Sequence, residues 1–165
     1  MTLSRKLIAL GALLAVATST GVAFAGGTGK KDALLERGRY LAVIAGCNDC
    51  HTAGFLLSEG KVAEKDWLTG DRLGWNGPWG TTYAPNLRLF MANMTEKQWL
   101  GFAKTAKLRP PMPWYALNMM TNRDLRAIYR LARHLGAAGE PAPAFLPPGK
   151  TPEGPYVIFP QPPAR

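Results

Sequence analysis

The chain has 165 residues, 47% of them hydrophobic, and its 20 basic and 11 acidic side chains leave a formal net charge of +9. That length supports one domain with a modest core and leaves no room for a second sizeable one. The basic residues are spread from Lys30 to Arg165 without a dense run, which accords with plain solubility, or with attraction to an acidic protein partner or an anionic membrane surface.

The amino end has the layout of an export signal. Arg5 and Lys6 precede an apolar run from Leu7 to Val16, and Ala23-Phe24-Ala25 has the A-x-A form of a signal-peptidase site. Thr18, Ser19 and Thr20 interrupt the run before it reaches the roughly 20 residues needed to span a bilayer. The pattern predicts a cleaved signal peptide over residues 1–25, a domain over 26–139, an extension over 140–165, a periplasmic location and no integral membrane span. Export disfavours a nucleic-acid partner.

Leu34, Leu35, Leu41 and Ile44 fall near one face of a helix predicted from Lys31 to Ile44. Gly38 inside it costs about 1 kcal/mol relative to alanine, which points to another element crossing closely there. Residues 52–93 carry six glycines, two prolines and three tryptophans, the composition of an ordered loop in which turn formers separate large aromatic groups. A second helix is predicted from Thr95 to Lys107, opened by a capping box of Thr95 and Gln98. Arg109 to Trp114, with three prolines, forces an extended path. A third helix runs from Thr121, its cap, to Leu135, and Gly136 ends it. Nine of the 14 prolines follow Gly139, so the tail either straps the domain or stays mobile; Phe145, Tyr156, Val157, Ile158 and Phe159 favour strapping.

The stretch GCNDCHTAG, Gly46 to Gly54, holds both cysteines and one of the two histidines. A redox CxxC pair would sit beside a strand-helix unit, and no β-α-β pattern surrounds this one. A zinc site would need donors from His134 or scattered carboxylates. Two unpaired thiols in an oxidising compartment would tend to oxidise. The remaining reading is covalent haem attachment by C-x-x-C-H. There Cys47 and Cys50 add to the porphyrin vinyls and His51 ligates the iron, giving one haem c.

The second axial position separates electron transfer from ligand binding. Met91, Met94, Met112, Met119, Met120 and His134 are the candidates. Met119 and Met120 read as packing residues, and His134 is placed to serve the carbonyls at the end of the last helix. Prolines on both sides hold Met112 in a rigid extended segment that could lie over a flat haem face. A thioether there favours Fe(II) and raises the potential.

Gly38-Arg39-Tyr40-Leu41-Ala42, Cys47 to Thr52, Gly80-Thr81-Thr82-Tyr83-Ala84-Pro85-Asn86, Met112-Pro113-Trp114 and Asp124 to Tyr129 together resemble the small monohaem cytochromes c. The likeness is greatest to the cytochrome subunits of periplasmic sugar, alcohol and aldehyde dehydrogenases. It runs from about Leu35 to Leu135. It implies an all-α cytochrome c fold, with the first and last helices crossing near Gly38 between Tyr40 and Tyr129. It also implies Met112 as the distal ligand, a proline carbonyl bonded to His51 (Pro78 first, Pro85 second), and Trp79, Tyr83 and Asn86 beside the haem. Trp67, Trp75 and Trp79 would pack the macrocycle or, as the sharper alternative, one indole N–H would reach a propionate, and Arg72 and Arg88 would either neutralise propionates or sit solvated. Relatives of this kind continue the asparagine with a Pro-Asp step, where this chain has Leu87-Arg88-Leu89. The implied function is electron carriage between a dehydrogenase donor and an oxidase or other acceptor, without enzymatic activity of its own. The alternative is a haem sensor or peroxidase-like protein with an open distal site.

Overall fold

The structure, a computed structural model, describes residues 28–160. The expected signal peptide and the last five residues of the extension lie outside the described residues. In chain order come α1 (Thr28–Ile44), α2 (Cys47–His51), a 3-10 turn (Glu64–Asp66), β1 (Gly74–Gly77) and β2 (Gly80–Tyr83). They are followed by α3 (Leu87–Ala92), α4 (Glu96–Thr105), α5 (Trp114–Met119), α6 (Asn122–Leu135) and β3 (Tyr156–Ile158). Among the described residues no helix is long and apolar enough to cross a membrane.

The first and last helices cross where Gly38 meets Ala127 and Leu131. A Cβ on Gly38 would collide with the Ala127 carbonyl oxygen and stand 2.9 Å from Leu131 Cβ, so only glycine admits this approach. Leu41, Ala42, Leu125, Ile128, Leu131 and Ala132 fill the contact, and Arg37 Nε donates to Asp124 Oδ1 at 2.9 Å across its rim. Tyr129 is buried, its hydroxyl donating to Met94 O at 2.9 Å, whereas Tyr40 is 52% exposed under the Arg37 guanidinium.

Both predicted caps form. Thr95 Oγ1 accepts from Gln98 N at 3.3 Å while Gln98 Oε1 accepts from Thr95 N at 2.8 Å, and Thr121 Oγ1 accepts from Asp124 N at 3.1 Å. Trp99, buried in the core, donates its indole N–H to Leu125 O at 2.7 Å and so fixes α4 against α6. At the other end of α6 the expected partner of the last carbonyls is wrong: His134 is exposed. The buried Arg88 guanidinium takes the Leu135 and Gly136 carbonyls, with Lys65 O at 2.7 Å. The solvated reading is therefore overturned for Arg88, which spends three of its five N–H groups on backbone carbonyls.

The all-α expectation also needs correction. The molecule is mostly helical but contains a three-stranded sheet of order β2-β1-β3, antiparallel between β1 and β2 and parallel between β1 and β3. The tail makes the third strand. Leu146 exchanges backbone hydrogen bonds with Thr81 at 2.8 and 3.0 Å, Gly74 N donates to Pro155 O at 2.9 Å, and Phe159 N donates to Asn76 O at 2.8 Å. Tyr156, Val157 and Ile158 nevertheless remain exposed, Ile158 by 65%. Backbone pairing and the Phe159 ring hold this part of the strap, rather than the burial of those three side chains.

Candidate cofactor site

The single short helix α2 carries all three residues of the C-x-x-C-H stretch. Gly46 enters it with φ of 69°, a left-handed turn that glycine adopts without strain. Cys47 and Cys50 are half-buried free thiols, and His51 is buried. Burial pushes the Cys47 thiol up to about 11 and raises that of Cys50 as well, so both are protonated at neutral pH.

The rest of α2 is tied down by its neighbours. Thr52 Oγ1 donates to Asn48 Oδ1 and accepts from Leu68 N, each at 2.8 Å, and Gly70 N donates to His51 O at 2.8 Å. Leu68 O in turn accepts from Leu87 N at 3.0 Å, which joins this lattice to the start of α3.

The His51 ring is oriented by one bond. Nδ1 stands 2.8 Å from the carbonyl oxygen of Pro85, so the proton on Nδ1 is donated there and Nε2 is left with a free lone pair. Pro85, the second choice, is the partner, and the preference for Pro78 is overturned. β2 delivers Pro85 to α2, whereas the exposed Pro78 sits in the β1-β2 turn. Burial lowers the affinity of His51 for a second proton, opposed by the Pro85 bond, and the neutral imidazole is the form that ligates iron.

The remaining predicted residues divide by whether their polar atoms are already committed. Trp79 Nε1 donates to Trp75 O at 3.3 Å and Trp67 Nε1 to Val62 O at 2.9 Å, so neither indole has an N–H to spare. Asn86 caps α3 by accepting from Leu89 N at 3.0 Å and donates to Ala138 O at 2.8 Å, which commits its amide to the chain. Tyr83 is half-buried opposite Gly74 in the β1-β2 ladder, and Arg72 is exposed.

Thr82 was given no role by the sequence, and Trp75 is the one of the three named tryptophans whose indole N–H is left over. Its Nε1 and Thr82 Oγ1 are buried without a partner among the described residues. Trp75 and Thr82 face each other across β1 and β2, which puts both side chains on one face of the hairpin. A strand assignment for residues 74–83 would have found the pair.

Met112 is half-buried against the same core that Cys47 touches, and its carbonyl accepts from Trp114 N at 2.8 Å at the start of α5. Met91 is fully buried. Met119 is 83% exposed, which overturns its expected packing role.

Among the described residues no cluster of three or more His, Cys, Asp or Glu side chains could hold a metal ion, so Cys47, Cys50 and His51 have no further donors of that kind. The residues do fit a haem. One turn offers two thiols and an oriented imidazole, and the hairpin offers two unpartnered buried donors of the kind a carboxylate would accept from.

No protein-family model and no solved structure matches the chain. It is 29% identical over 101 residues to the fructose dehydrogenase cytochrome subunit of Gluconobacter japonicus, a stretch that covers 58% of this chain and 20% of that protein. The likeness thus extends over a fifth of that relative's length, and it supports a cytochrome c-like protein.

Proposed function

We propose that this chain is an exported monohaem cytochrome c. It carries single electrons between a periplasmic dehydrogenase and a terminal acceptor. Cys47 and Cys50 would hold the haem covalently, with His51 and Met112 as axial donors. The observation that carries the reading is the buried His51 ring, turned by its 2.8 Å bond to Pro85 O so that Nε2 is the free nitrogen, on the same turn as two free thiols. When bound, the haem supplies a reversible one-electron change at iron.

The chain's own residues bind, orient and shield. Pro85 keeps the imidazole in one tautomer and raises its basicity, and the lattice through Thr52, Leu68 and Gly70 keeps α2 from turning. Trp75 and Thr82 would donate to haem carboxylates, and the Met112 thioether would stabilise the reduced state. No substrate bond is made or broken, so the work is electron transfer rather than catalysis. Its partners are redox proteins met through a small, transient interface, with peripheral membrane association as a further expectation.

Haem staining that survives denaturing electrophoresis tests covalent attachment, and its loss in Cys47→Ala/Cys50→Ala is the expected control. A methionine-to-iron charge-transfer band in the ferric spectrum is expected. High-spin features with rapid CO binding by the unaltered protein would favour the sensor or peroxidase-like alternative.

A further inference from the structure

The segment that presents Met112 has little of its own to hold it. Among the described residues, Lys107, Leu108, Arg109, Pro110 and Pro111 make no hydrogen bond to any partner, and α4 has already ended at Thr105. A side chain from the tail meets this segment. Phe145 lies under the Arg109 guanidinium, whose Cζ is 4.0 Å from the ring centroid.

From there the tail runs straight to the hairpin. Leu146, the next residue, pairs on both its N–H and its C=O with the fully buried Thr81. Farther on β3 extends β1, and the Phe159 ring packs on Trp75 and Trp79 with centroids 6.1 and 5.2 Å apart. One extended stretch of chain therefore connects the Met112 segment to the hairpin that leads to Pro85 and His51.

We propose that residues 141–160 are a positioning strap for the axial methionine: Phe145, by holding Arg109, sets how firmly Met112 stays in the sixth position. Phe145 is a positioning residue and touches no cofactor. This rests on the reading of Met112 as the distal donor. Loosening the strap raises the fraction of molecules in which the thioether has swung away, and an added ligand then enters at the rate set by that fraction.

The experiment uses the haem-loaded full chain and compares the unaltered protein with Phe145→Ala, Phe145→Tyr and Arg109→Gln. It measures the ferric methionine-to-iron band and the rate of cyanide binding, with far-ultraviolet circular dichroism as a check on folding. Phe145→Ala and Arg109→Gln are expected to weaken the band and to speed cyanide entry about two- to fivefold, the scale of one lost cation–π contact at an exposed arginine. Phe145→Tyr keeps the aromatic face and is expected to behave as the unaltered protein. Should Phe145→Ala fold poorly, Arg109→Gln removes the same contact from the other side. An unaltered protein without the band would overturn the Met112 reading and the strap with it. A band present in the unaltered protein, with both it and cyanide entry unchanged in Phe145→Ala and Arg109→Gln, would overturn the strap alone.

Discussion

Two side chains carry the proposed site at the scale of single residues, and each was visible in the sequence for a different reason. His51 is legible from its neighbours Cys47 and Cys50, since the chemistry of C-x-x-C-H requires the spacing. Its hydrogen-bond partner was not legible, because the choice between Pro78 and Pro85 depends on the path of a loop and not on either residue. Met112 stood out from five other methionines by its flanking prolines. Replacing it tests the ligand reading directly: Met112→Ala is expected to lower the reduction potential and to bind CO rapidly, and an unchanged spectrum would move the ligand elsewhere. Gly38 was flagged by its cost inside a helix, and the packing explains it. Gly38→Ala would force α1 away from the Ala127 carbonyl and is expected to lose about 1–3 kcal/mol in denaturant unfolding.

Helices that carry their own start signals were readable as elements, and Thr95 and Thr121 cap as their spacing requires. The sheet was not readable. β1 and β2 are four residues each inside a glycine-rich loop, and β3 pairs with β1 from the far end of the chain, so no local alternation announces any of them. The end of α6 was misjudged because the nearest basic residue was His134, while the group that bonds its carbonyls arrives from α3. Arg88→Met keeps much of the bulk but strands the Lys65, Leu135 and Gly136 carbonyls, and a loss of about 2–3 kcal/mol in unfolding free energy is expected. The clasp between α1 and α6 has a pH signature. The hydrogen bond from Arg37 holds the Asp124 carboxyl below its ordinary value. Its contribution is therefore fully present above about pH 4, the unfolded value, and is lost as pH falls through the lower folded one. Melting Asp124→Asn beside the unaltered protein is expected to show a small deficit at pH 7 that closes in acid.

Charge is unevenly shared across the whole molecule. Lys97, Lys104, Lys107, Arg109, Arg123, Arg126, Arg130 and Arg133 lie between Asn93 and Leu135 against Glu96 and Asp124 alone. Glu96 is itself shared by Arg126 at 2.6 Å and Arg130 at 3.1 Å. The stretch from Asn93 to Leu135, which includes Met112, is therefore basic, while five of the 11 acids fall between Asp49 and Asp71. Electron delivery to an acidic acceptor is expected to slow as ionic strength rises from about 0.01 to 0.15 M, where the Debye length shrinks from roughly 30 to 8 Å; stopped-flow rates would show it. Net charge was plain from composition, and its uneven sharing is legible along the chain, but the pairing of Glu96 with Arg126 and Arg130 needed the fold. The parallel pairing of β3 with β1 also imposes an order of events. Chains are made amino end first, so Cys47, Cys50 and His51 emerge well before Tyr156. β1 therefore waits for its second neighbour until residues near 156 have been made, and the sheet is completed long after the turn that carries the two thiols.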